Sequence, residues 1–153
     1  MIPVKVKEVV LDQSHNPLLL LADLEEDNVL PLGIGFWEAQ AIIVKLQGND
    51  LPRPMTHDLL HTMCQELGAK VSRIVISDIN ENTFFAELYL KYGAEEVVLD
   101  ARPSDAVALA LTADAPVFMT EKVSAYTIPM DNLIEDDSYP EWGEDDSDGP
   151  HLH

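Results

Sequence analysis

Three strand-length segments closed by a helix, followed by the same order again, narrow the fold of this chain more than any other feature. Residues 2–11 alternate apolar and polar side chains, and residues 17–23 and 28–34 are shorter apolar runs. The stretches joining them, Asn16-Pro17 and Glu25-Glu26-Asp27-Asn28, carry turn residues. A three-strand meander follows from that spacing. Residues 36–47 then place Ala39, Ile42, Ile43 and Leu46 three and four apart, the period of a helix with one apolar face, and Gly48 ends it. After a loop at 49–54, Thr56 is expected to cap a second helix whose Leu59, Leu60, Met63, Cys64 and Leu67 fill one face before Gly68 stops it. Strands near 70–78, 83–91 and 95–100 come next, with turns at Asn80-Glu81-Asn82 and Tyr92-Gly93. A helix near 103–113 completes the second round, and Pro116 to Met119 reads as a last short strand.

The expected fold class is α+β: two β-β-β-α halves on an antiparallel or mixed sheet, with an extra helix between them. Setting Glu38 against Asp105 pairs Leu32 with Leu99, Ala39 with Ala106, Ala41 with Ala108 and Ile42 with Leu109. An internal duplication is one explanation; chance recurrence of alanine in helices is the other. A chain of 153 residues suffices for one domain with a sizeable core, expected over residues 1–130.

Charge limits the chemistry. Nine basic residues against 28 acidic ones leave a net charge of −19. Residues 131–153 hold nine of the acidic side chains and no Lys or Arg, so residues 1–130 still carry −10. That acidic, Ser-, Gly- and Pro-containing end cannot bury enough apolar surface to offset chain ordering, and a disordered tail is expected there, with Tyr139 and Trp142 as its only aromatics. An acidic body is repelled by phosphate at long range, which excludes nucleic-acid binding through a basic patch and leaves metal ions or a local cationic pocket. The apolar runs, such as Leu18 to Ala22 and Ala106 to Leu111, are too short for a bilayer, and the N-terminus lacks the apolar stretch of a signal peptide. No membrane association and a cytoplasmic location are expected. The single cysteine, Cys64, falls in an apolar helical pattern and reads as a packed thiol.

Two short stretches gather chemistry. Asp100, Arg102 and Asp105 fall within six residues where a strand ends and a helix begins. Two carboxylates there could share a divalent cation while the guanidinium grips a phosphate. Equally, Pro103 could start the helix, Asp105 complement its dipole and Arg102 pair with a carboxylate, and spacing alone favours this second reading. Arg53-Pro54-Met55-Thr56-His57-Asp58 delivers a histidine and a carboxylate to the first turn of the second helix. His57 there could act as an acid or base near neutral pH or lie idle on the surface. His57 and His61, at i and i+4, imitate a zinc helix, but Asp replaces the expected Glu and no third ligand follows. Glu38 occupies the first-half equivalent of Asp105; if the halves face each other, the two carboxylates converge. Phe36 and Trp37 read as core or interface aromatics before base-stacking platforms.

Three segments, Leu32 to Ile42, Arg53 to Leu60 and Asp100 to Ala110, together resemble the bifunctional nuclease family over roughly residues 2–122. The R-P-x-T-H-D-L and D-A-R-P-S-D-A pairing is its most specific part. The resemblance implies an α+β fold, a homo-oligomer and degradation of both RNA and DNA. Its motif positions fall on Glu38, Arg53, His57, Asp58, Asp100, Arg102 and Asp105. On that basis a nuclease is expected in which Asp100, Asp105 and Glu38 hold Mg²⁺ or Mn²⁺, Arg53 and Arg102 bind substrate phosphate, and His57, Asp58 and Asp105 are catalytic. The alternative is a non-enzymatic oligomeric regulatory or interaction module in which the same motifs hold halves or subunits together.

Overall fold

The computed structural model describes residues 1–48 and 51–134. Strands β1 (Ile2–Leu11), β2 (Pro17–Asp23) and β3 (Asn28–Gly33) form the expected meander, followed by helices α1 (Phe36–Gln47) and α2 (Thr56–Glu66). Strands β4 (Ala69–Asn80), β5 (Thr83–Tyr92) and β6 (Glu95–Ala101) form the second meander, closed by α3 (Pro103–Ala113). Its first turn is built on Glu81 and Asn82, both at positive φ (51° and 65°), the backbone that a two-residue hairpin between right-twisted strands requires. The turn after β1 is held instead by Asp12, whose carboxylate accepts the N–H groups of Ser14 and Asn16, both at 2.8 Å.

Strand β7 (Val117–Met119) joins the halves. It lies antiparallel to β1, pairing Met119 with Ile2, and parallel to β4, pairing Val117 with Ile74. One eight-stranded sheet results, in the order β6-β5-β4-β7-β1-β2-β3-β8, and β4–β7 is its one parallel pairing among the described residues. The fold is α+β on a mixed sheet. The two meanders flank β7 in reversed order, which leaves β3 and β6 far apart in the sheet; the packing of α1 on α3 brings the two strand-to-helix junctions together. After the four-residue helix α4 (Glu121–Ser124), the short β8 (Ile128–Pro129) pairs with β3. Residues 131–134 form a further turn of helix, α5 (Asp131–Ile134), inside the segment expected as tail. The remainder of that expected tail, 135–153, lies outside the described residues.

Helices α1 and α3 pack on each other over one face of the sheet. Ala39 and Ile42 of α1 and the run Ala106 to Ala110 of α3 are buried there with Leu19, Leu21, Leu30, Ile74, Ile76 and Ala86 from the strands. Each fully buried Leu or Ile stabilises this arrangement by about 1.5–3 kcal/mol relative to exposure. A smaller cluster on the opposite face joins Val10, Leu20 and Val29 to Ile128 and Met130.

Helix α2 departs from expectation in two ways. Met55, not Thr56, is the N-cap, because Asp58 at the third helical position accepts the Met55 N–H at 2.8 Å and draws the first turn closed one residue earlier. Its apolar stripe also points outward: Leu59, Leu60, Met63 and Leu67 are 46–70% exposed, Cys64 is half-buried, and His57 is the buried residue of the helix. Since α1 and α3 already cover the sheet, α2 meets the body along one narrow face. A second uncovered region is the edge strand β6, where Val97, Val98 and Leu99 are 40–48% exposed. Phe36 and Trp37, expected in a core or an interface, are exposed too.

Candidate active site

Both chemical stretches meet α1, one at each end. At its N-terminal end, Arg102 is the N-cap residue of α3, and Pro103 opens that helix as the spacing predicts. The Arg102 guanidinium grips Asp105 with two nitrogens, Nε to Oδ2 at 2.8 Å and Nη2 to Oδ1 at 3.1 Å. It also donates through Nη1 to Glu38 Oε1 at 3.0 Å. The two half-molecule junctions therefore face each other, with an arginine between the carboxylates. Hydrogen bonds from the guanidinium to Asp105, then to Glu38, raise the pKa of Arg102 above its already high value. Gly35 makes room for this contact: a Cβ there would lie 2.7 Å from both Glu38 carboxylate oxygens. A cleft of about 310 Å³ adjoins, lined by Gly35, Glu38, Arg102 and Ser104 and by Asn82 and Thr83 of the β4–β5 hairpin.

At the C-terminal end of α1, Lys45 donates to Asp58 Oδ1 at 2.5 Å, with both side chains about a quarter exposed. Glu38 and Lys45 are seven residues apart, so they share a face of α1 about 10.5 Å apart along its axis. Burial pushes the Asp58 carboxyl upward. The hydrogen bonds from Lys45 and from the Met55 N–H outweigh it and leave the pKa below the ordinary aspartate value. A cleft of about 280 Å³ opens beside the pair, lined by Lys45, Asp58, Arg53 and the loop Leu51 to Met55. Arg53 makes no ion pair among the described residues, so the cleft carries two cations against one carboxylate. Behind it stands His57, 6% exposed, with Nε2 3.8 Å from Asp58 Oδ1 and without a hydrogen-bond partner. Burial lowers its pKa, opposed by the Asp58 charge, and the ring is neutral at pH 7.

The structure thus brings Glu38, Arg102 and Asp105 together, and separately Arg53, His57 and Asp58. Asp100 joins neither group. It pairs across the strands with Glu87 and lines another cleft with Ser77, Asp78 and Asn80. The donor set expected for Mg²⁺ or Mn²⁺ does not fit this arrangement: Glu38 and Asp105 are engaged by a guanidinium and Asp100 faces elsewhere. Among the described residues no three His, Cys, Asp or Glu side chains stand close enough to hold a metal ion. His61 lies in a further depression with Gln65, Lys70 and Ala113. Sequence reasoning missed Lys45 and Gly35. The seven-residue spacing from Glu38 could have found the first; only the packing reveals the second.

A mixed sheet with two abutting helices, and charged groups gathered at both ends of one of them, defines an α+β domain. The sequence model of the bifunctional nuclease domain matches residues 19–128, a span that contains all three motif segments, and the chain belongs to that family. Two uncharacterized proteins from strains of Mycobacterium tuberculosis are each 39% identical over 123 residues, covering 80% of this chain and 73% of theirs. A protein named bifunctional nuclease 1 from Oryza sativa subsp. japonica is 25% identical over 113 residues, which cover 72% of this chain but 34% of that protein. Among the described residues no helix is long and apolar enough to cross a membrane.

Proposed function

We propose that this protein hydrolyses phosphodiester bonds in RNA and DNA at the cleft beside the N-terminus of α2. The observation that carries the reading is the meeting of Lys45 and Arg53 on one cleft in a chain of net charge −19. Those cations, with the N–H groups of the first turn of α2, suit a phosphate held without a basic surface. Asp58 is ionised at neutral pH and opens on the same cleft, and His57 waits neutral behind it; proton transfer falls to these two. Arg102, clamped by Glu38 and Asp105, supports the far end of the substrate, with Asp105 a positioning residue for the guanidinium. Family membership and the named relative support this reading, and no step in it runs through a metal ion.

The test is cleavage of end-labelled single-stranded RNA and DNA by the purified full chain, with Mg²⁺, with Mn²⁺ and with chelator. Arg53→Ala should slow cleavage at least tenfold with an unchanged melting temperature, since among the described residues Arg53 has no ion pair to lose. Asp58→Asn should do the same to cleavage. Activity that survives both changes would place the reaction elsewhere or in a contaminant, and a chain inert under every metal condition would remove the proposal altogether.

The exposed apolar stripe of α2 and the open edge of β6 favour a second reading, a homo-oligomeric interaction module. Contiguous apolar surface of this kind marks binding faces. Light scattering of the wild type and of Leu60→Asp distinguishes the two: a wild-type oligomer that the aspartate dissociates, with no cleavage by either form, supports the module.

A further inference from the structure

We infer that two copies of this chain associate about a two-fold axis, with α2 of each copy lying across the uncovered β5–β6 face of the other; the contact is separate from the proposed chemistry and holds whether or not the chain cleaves. Two apolar surfaces lack cover. On α2, Leu59, Leu60, Met63 and Leu67 recur three and four residues apart on one exposed face. On the sheet, Leu88 belongs to the core under α3, and the register sets Leu99 opposite it and Val97 opposite Leu90. Val97 and Leu99 therefore point to the helix-covered side of the sheet. They are still 40% and 42% exposed, because α3 packs over β4 and β5. The helical layer that a one-sided sheet needs is missing over this end.

The two surfaces match in length and adjoin each other. Leu59 to Leu67 spans about 12 Å along α2, and the rows from Leu99 to Glu95 span about 13 Å along β6. A Cβ on Gly68, just past α2, would lie 3.9 Å from Tyr92 Cε2, and Tyr92, itself exposed, pairs with Glu95 where β6 begins. Neighbouring patches of this kind can meet reciprocally across one two-fold axis. Helix α2 does not cover its own β6, because its other face packs on α3 and its end is tied through Gly68 to β4. A standard interface takes about 800 Å² from each partner. Four side chains of α2 are too few to form the apolar centre of one, as are the few on the sheet, and the reciprocal contact uses both sets. Pairing β6 edge to edge about Val98, its middle residue, would set Glu96 of each strand opposite Asp100 of the other, a like-charge contact that disfavours it.

Sedimentation velocity on the full chain reads association alone, and the wild type should be a dimer. Leu60→Lys and Leu99→Glu each spoil the contact twice in a two-fold dimer. Each alone should raise the dissociation constant by about a hundredfold or more, giving monomers with the wild-type circular dichroism. Mixed one to one, the two variants should form a heterodimer, read by energy transfer between different N-terminal dyes. One contact is then wild-type and the other sets the lysine against the glutamate. Met63→Lys with Val97→Glu makes the same exchange at a second pair if either first variant fails to fold. A wild type that is monomeric at every concentration reached overturns the inference. So does a dimer that survives Leu99→Glu, which would mean contact between α2 helices, or one that survives Leu60→Lys, which would mean pairing through β6. Single variants that lose the dimer and do not regain it on mixing overturn it as well, because the two surfaces would then not face each other.

Discussion

Replacing His57 by leucine should stabilise the protein. His57 Nε2 is buried without a hydrogen-bond partner, and such an atom costs about 1–3 kcal/mol relative to an apolar group of similar volume. In a chain of 153 residues that corresponds to a rise in Tm of about 2–4 °C for each kcal/mol gained at neutral pH. The gain should also grow in acid. Because the folded-state pKa of His57 is lowered, the unfolded chain binds this proton first. Stability is then full above an unfolded pKa of about 6.5 and declines as pH falls below it, by at most about 1.4 kcal/mol per pH unit until the folded ring also titrates. His57→Leu removes that component, so the two proteins should diverge between neutral pH and pH 5. Thermal and urea melts across that range read both quantities. A leucine variant that melts lower at pH 7.5 and keeps the wild-type slope would show that Nε2 is satisfied, and the argument from its burial would fail. The same variant should be inactive, the usual exchange when a strained functional group is made comfortable.

Lys45→Met should cost about 1.5–3 kcal/mol at neutral pH, because it leaves the Asp58 carboxylate three-quarters enclosed with only the Met55 N–H. Asp58 titrates below its ordinary value when folded, so its stabilisation is present above about pH 3.9 and is lost as pH falls through the folded pKa. The gap between variant and wild type in urea melts should therefore close in acid; a gap that persists at pH 2.5 would trace the loss to packing of the lysine stem. Glu38→Gln should change stability by no more than about 1 kcal/mol, since Arg102 is 63% exposed and keeps its fork on Asp105. Denaturation at low and high salt checks this, and unfolding of the variant would refute it.

The strand and helix order was legible because each segment obeys its own period and is bounded by its own turn residues; Glu81 and Asn82 even supply the positive φ of their hairpin. What could not be read was which side of a helix faces the body. Leu59, Leu60, Met63 and Leu67 make a regular stripe, yet α2 buries His57 instead, because a helix added to a sheet already covered by α1 and α3 is positioned by whatever neighbours remain. The convergence of Glu38 with Asp105 was expected only on the condition that the two halves face each other, and the packing of α1 on α3 meets that condition. Arg102 between them could not be read: a carboxylate pair and an arginine within six residues suit a metal site or an ion-pair clamp equally, and only the rotamer of the arginine decides.

That clamp bears on what the two junctions are for. The halves are joined through β7, which pairs with both meanders, and through the buried contact of α1 with α3, so an exposed arginine is not needed to hold them together. Holding Arg102 with three hydrogen bonds does something different: it fixes a planar cation, and two carboxylates whose charge it halves, at the mouth of a cleft. In a chain with 28 acidic side chains, leaving Glu38 and Asp105 unpaired there would repel any anionic polymer approaching Lys45 and Arg53 about 10 Å away along α1. The arginine thus lowers the negative field over one end of the helix, and under the proposed function that is what lets Lys45 and Arg53 at the other end receive a phosphate.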